Sequence, residues 1–177
     1  MNALVSYPSK EDIQRRANQV LEKHKRLRDP VLLLQAIARD EDIELKESDL
    51  YDISGILKKE DGKWAIYVNR EDSLTRKLFT IAHELGHYFM HRDEEDQFVD
   101  SLFIMRDEED KYTGQELEAN EFAGSLIMPE ARLRDYLDDR TPREEDVVQL
   151  AKKFNVSPLA MVTRLRNLGY HVLAAEE

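Results

Sequence analysis

The sequence contains no cysteine, which excludes a disulfide framework and any thiolate metal cage. It also lacks a long apolar run, since no stretch approaches the ~20 residues that cross a bilayer. The opening residues, MNALVSYPSKEDIQRR, lack the basic end, apolar centre and small-residue cleavage site of a secretory signal. Proline (5) and glycine (6) are scarce among 177 residues while hydrophobic residues reach 41%, which excludes disordered and fibrous compositions. Positive charge is in short supply as well. Lys and Arg number 26 against 37 Asp and Glu, a formal net charge of −11, which argues against a dedicated nucleic-acid binder. The expectation is a soluble, cytoplasmic protein with one compact domain and a small appendage.

The acidity is uneven. RDEED occurs at 92–96 and again at 106–110, bracketing FVDSLFIM, and reads as a solvated charged loop. Before it, Ser9 caps a surface helix, and Asp29-Pro30 marks the start of a second helix. Residues 43–45 suggest a short strand, and ISGILKKEDGKWAIYVN suggests a hairpin turning at Asp61-Gly62. Ser73 caps a long helix through His91, and Thr113 begins the next one, which stops near Pro129. After EARLRDYL, Thr141, Pro142 and Glu144 form a capping-box start for another helix. A turn at NVS then leads into PLAMVTRLRNLGY. The fold class is α+β: a small antiparallel sheet packed on a helical core, with C-terminal helix-turn-helix-like helices. The expected division is 1–135 for the main domain and 136–177 for the C-terminal helices.

Three of the five histidines fall within nine positions, in FTIAHELGHYFMH. His83-Glu84-Leu85-Gly86-His87 is the H-E-x-x-H pattern. With residue 83 at 0° and about 100° per residue, His87 falls near 40°, so two imidazoles can converge on one ion. Leu74, Leu78, Ile81, Leu85 and Phe89 occupy a separate arc, so the core stripe and the histidine face are distinct. Catalytic zinc takes three protein ligands plus water, and the third must come from elsewhere. On the next helix Glu116 and Asn120 border the buried face, whereas Glu118 and Glu121 point towards solvent. Glu116 is the better third ligand, and Asn120 could orient a liganding histidine. Thr113 to Glu116 is also a capping box that needs no metal; the upstream histidine pair tips the choice towards ligand. Glu84, beside the ligands on the wheel, is placed to accept and return a proton.

IAHELGHYFMH followed by ELEANEFAGSLIMP resembles the ImmA/IrrE family of zinc metallo-endopeptidases, matching its H-E-x-x-H helix and its E-x-x-A-N-x-F-A helix. The resemblance implies a gluzincin-like Zn2+ site with His83, His87 and Glu116 as ligands, Glu84 as catalytic acid/base and Asn120 behind the ligands. It also implies a protein substrate, typically a helix-turn-helix repressor of a mobile element or stress response.

No oxyanion donor stands out among Tyr88, His91 and Tyr112. His91 lies ~12 Å from His83 along the helix, too far to share one ion, and reads best as a cap at the helix C-terminus. Tyr88 reads as core. Residues 141–177 carry five basic and five acidic side chains, a neutral segment that makes a poor DNA anchor. A second class of function stays open: a zinc-containing binding module that sequesters its regulator without cutting it. Hydrolysis of small peptides is a third. The intact Glu84 favours the enzyme, because a structural metal has no use for a base beside it.

Overall fold

Capping residues set where the first helices start. In a computed structural model, described over residues 8–101, 114–138 and 140–173, Ser9 and Asp12 bond reciprocally to each other's N–H and open helix α1 (Lys10–Lys23). Asp29 accepts from the Leu32 N–H ahead of α2 (Pro30–Asp40). Strand β1 (Ile43–Ser48) precedes a hairpin of β2 (Ile53–Glu60) and β3 (Lys63–Asn69). At its turn Asp61 and Gly62 have φ of 48° and 83°, the two left-handed residues that a type I′ turn requires. Ser73 caps α3 (Leu74–His91). Strand β4 (Gln97–Ser101) follows, then α4 (Gly114–Ile127), α5 (Glu130–Leu137), α6 (Glu144–Phe154) and α7 (Pro158–Asn167). The class is α+β. No described helix is long and apolar enough to cross a membrane.

Three features differ from the sequence reading. The sheet has the order β1-β3-β2-β4, and its β1–β3 pair is parallel, so it is mixed rather than purely antiparallel. The cause is topological. The hairpin folds β3 back between β2 and β1, and two reversals return β3 to the direction of β1. Residues 97–101, read as part of a charged loop, form β4 because their backbone pairs with β2. The second RDEED run and Tyr112 lie outside the described residues, as does Thr113. Helix α6 begins at Glu144 rather than beside Thr141. Residues 142–143 are held extended by Leu173, which donates its N–H to Pro142 O and accepts from the Glu144 N–H. Asp146 then takes the capping role, accepting from the Arg143 N–H at 2.8 Å and from both terminal nitrogens of Arg140 at 2.6 Å.

One apolar cluster runs through the molecule, from Ile13 and Leu34 through Leu57, Ile66, Leu85 and Phe122 to Leu150, Met161 and Leu165. The expected boundary at 135/136 falls within α5, and side chains from both sides share this cluster. Helix α3 lies at the centre. Every residue from Ala82 to Tyr88 is buried, including both motif histidines.

Candidate metal centre

Two glycines let the backbone close around α3. A Cβ at Gly86 would lie 2.9 Å from both Cα and O of Ala119, so α3 and α4 cross in near contact there. That crossing brings the first turn of α4, with Glu116, up to the histidines. A Cβ at Gly55 on β2 would lie 2.3 Å from the Thr80 methyl and 2.7 Å from Oε1 of Glu84. The bare backbone of β2 thus makes room for the Glu84 carboxyl, which is fully buried.

The His83 and His87 Nε2 atoms are 3.1 Å apart. Glu116 reaches His83 Nε2 with Oε2 and His87 Nε2 with Oε1, each at 3.2 Å. One donor atom from each of the three residues fits within 4.8 Å of the others. A tetrahedral ion at about 2.0–2.1 Å from each donor would need donor separations of roughly 3.3–3.4 Å. The donor set therefore fits a small divalent ion, with two imidazole nitrogens and one carboxylate available to it. Burial pushes the Glu116 carboxyl up, but hydrogen bonds from His83 and His87 outweigh it and hold the group well below the usual carboxylate range. Burial pushes the His87 imidazole down, against the hydrogen bond to Glu116. Both directions favour an anionic carboxylate and a neutral His87, and an ion bound at the two Nε2 atoms would displace the protons these hydrogen bonds use.

The second nitrogen of each histidine is also engaged. His83 Nδ1 lies 3.1 Å from Asn120 Oδ1. His87 Nδ1 lies 3.2 Å from His91 Nδ1, and His91 Nε2 lies 2.9 Å from Glu118 Oε2. Phe98 on β4 stacks on the His87 ring with centroids 4.6 Å apart and planes 16° apart. Tyr88 packs in the core with its hydroxyl 3.3 Å from Glu41 Oε2.

Two placements are corrected here. His91 is buried and both its nitrogens are taken by His87 and Glu118, so it does not cap the helix C-terminus; Arg92 is the C-cap. Glu118 and Glu121 do not face solvent. A wheel with one buried arc misplaces them, because α4 is covered on two sides: α3 meets Glu118, and α1 and α7 meet Glu121. Gly55 was open to detection, since a glycine inside a strand pattern marks close backbone approach. Phe98 carried no comparable signal.

The chain has matches among known proteins. The Peptidase_M78 model, IrrE N-terminal-like domain, matches residues 38–166. The chain belongs to this metallopeptidase family. It is 29% identical over 129 residues to Metallopeptidase ImmA of Bacillus subtilis (strain 168), covering 72% of this chain and 71% of that one. A Mycobacterium tuberculosis transcriptional regulator shares the fold, with a TM-score of 0.61 at 18% identity over 88% of this chain. The match spans only 46% of that regulator. The family and the His83–His87–Glu116 cluster together point to a bound metal ion.

The α3–α4 crossing carries a prediction. Gly86→Ala gains about 1 kcal/mol of helix propensity but overpacks against Ala119 backbone, at a typical cost of about 1–3 kcal/mol. Net destabilisation is expected in urea unfolding, with weaker metal binding because α4 carries Glu116. A variant as stable as the parent would mean that the crossing can relax.

Proposed function

We propose that this chain is a zinc-dependent endopeptidase that cuts a helix-turn-helix repressor or similar regulator of a mobile element or stress response. The observation that carries the reading is the meeting of His83, His87 and Glu116 beside a fully buried Glu84. His83, His87 and Glu116 would hold the ion, and Asn120 would orient His83 through its Nδ1. A zinc ion held there would supply Lewis acidity, lowering the pKa of a water and polarising a carbonyl. Glu84 is the carboxylate beside those ligands that would accept a proton from an attacking water and return it to the leaving amine. Residues 1–135 would carry the peptidase domain and 136–177 a helical segment packed on it, in a cytoplasmic protein.

DNA is not part of this reading. Of the five basic side chains in the charge-neutral stretch 141–177, Arg164 is buried against Glu121 and Met128. It has no free face for a phosphate.

The deciding experiment is co-expression with a candidate helix-turn-helix regulator, using wild type and Glu84→Gln. A cut product with wild type alone supports hydrolysis. A stable complex and no cut with either supports a sequestering module instead. On the metal side, purified protein should carry about one zinc per chain. Glu116→Ala should lose it, and elemental analysis reads both. Full retention by Glu116→Ala would remove Glu116 from the ligand set.

A further inference from the structure

We propose that His91 and Glu118 are positioning residues: a buried carboxylate–imidazole pair that fixes the tautomer and ring orientation of His87. The inference rests on reading His83, His87 and Glu116 as a metal site. The three residues form one chain of contacts. His87 Nδ1 is 3.2 Å from His91 Nδ1, and His91 Nε2 is 2.9 Å from Glu118 Oε2. His91 is 2% exposed and Glu118 7%.

Hydrogen-bond accounting gives the direction. For Nε2 of His87 to offer a lone pair to an ion shared with His83 and Glu116, its proton must sit on Nδ1. That Nδ1–H faces His91 Nδ1, which must therefore accept. A neutral His91 that accepts at Nδ1 carries its proton on Nε2, and Nε2–H donates to Glu118. Every group in the chain then has one partner, and no two donors face each other. Reversing the chain would put a proton on His91 Nδ1 and force His87 to accept there, leaving Nε2 protonated and unable to ligate.

The two histidines are thus braced by different devices. His83 donates from Nδ1 to a side-chain amide oxygen one helix away, at 3.1 Å. His87 is braced through a second imidazole, His91, whose other nitrogen reaches Glu118 on α4. Phe98 fixes the ring plane by stacking at 4.6 Å. Hydrogen bonding then sets its rotation about the ring normal. Glu118 adds a further demand, since a buried carboxylate is costly unless it is hydrogen-bonded, and the described partner of Oε2 is His91.

The test uses the full chain and zinc alone. Zinc affinity is measured by competition with a chelator for wild type, His91→Phe, His91→Gln, Glu118→Ala and Glu118→Gln, with thermal unfolding recorded for each. His91→Phe and Glu118→Ala should bind zinc about 10–100-fold more weakly while staying folded. His91→Gln keeps an acceptor for His87 and a donor for Glu118, and Glu118→Gln keeps an acceptor for His91. Both should recover most of the affinity, a pattern that lost packing would not produce. In zinc-loaded wild type, nitrogen NMR should place the His91 proton on Nε2 and detect coupling across the His87–His91 hydrogen bond. Unchanged affinity in His91→Phe and Glu118→Ala, with zinc bound by wild type, overturns the positioning role alone. So does a His91 proton on Nδ1. Wild type that takes up no zinc overturns the metal reading and this inference with it.

Discussion

Glu84→Gln is expected to slow peptide-bond hydrolysis by about 10²–10⁴-fold, enough to remove a cut product from an ordinary assay. The size follows from what the swap changes. Glutamine keeps the shape of a side chain that is fully buried against Gly55 and Thr80, so packing is preserved. It cannot accept the proton of an attacking water and return it. Zinc content should not change, because Glu84 is absent from the cluster that brings His83, His87 and Glu116 together. His87→Ala should lose both metal and cleavage. Trapping of an uncut partner by Glu84→Gln would fit the proposed role. Cleavage at the parental rate would end the acid–base reading, and a wild type that functions without ever cutting would leave the sequestering module.

The features legible in the sequence share one property: they are local. Ser9, Asp29-Pro30 and Ser73 each satisfy backbone donors within their own first turn, and Asp61-Gly62 suits its turn through its own dihedral angles. The spacing of His83 and His87 is local as well, since four residues make one turn of any helix. What depends on partners distant in the chain was not legible. β4 is a strand only because β2 has a free edge for it. The start of α6 is set by Leu173, about thirty residues further along. Glu118 and Glu121 look like surface carboxylates on a wheel, because a wheel cannot show that two neighbouring elements bring His91 and Arg164 to meet them. The site itself lay between these cases. Glu116 could be chosen from the wheel of α4, but its reach to both histidines depends on Gly86 and Ala119 letting the helices cross closely.

The largest stability loss is expected at Glu121. Its Oε1 accepts from Arg164 Nη1 at 2.8 Å, from Gln14 Nε2 at 2.8 Å and from Ser125 Oγ at 3.3 Å. One oxygen thus joins α1, α4 and α7. The side chains of Arg164 and Glu121 are only 4% and 11% exposed. Removing one partner of such a pair typically costs about 3–5 kcal/mol, against a total stability of about 5–15 kcal/mol for a domain. The two removals should not cost the same. Glu121→Ala leaves a guanidinium that cannot shed its charge, held by Met128 O at 3.2 Å. Arg164→Met leaves a carboxylate that keeps Gln14 and Ser125 and can take up a proton if the site demands it. Urea unfolding should therefore rank Glu121→Ala as the more damaging. The double variant Glu121→Leu with Arg164→Met should recover much of the loss, because an apolar pair of similar volume replaces a buried ion pair at little cost. Zinc binding by the folded fraction of the double variant should persist, since neither residue touches the histidine cluster. A cost below about 1 kcal/mol for Glu121→Ala, the range of exposed pairs, would mean that water reaches the pair and that apolar packing alone ties α7 to α4.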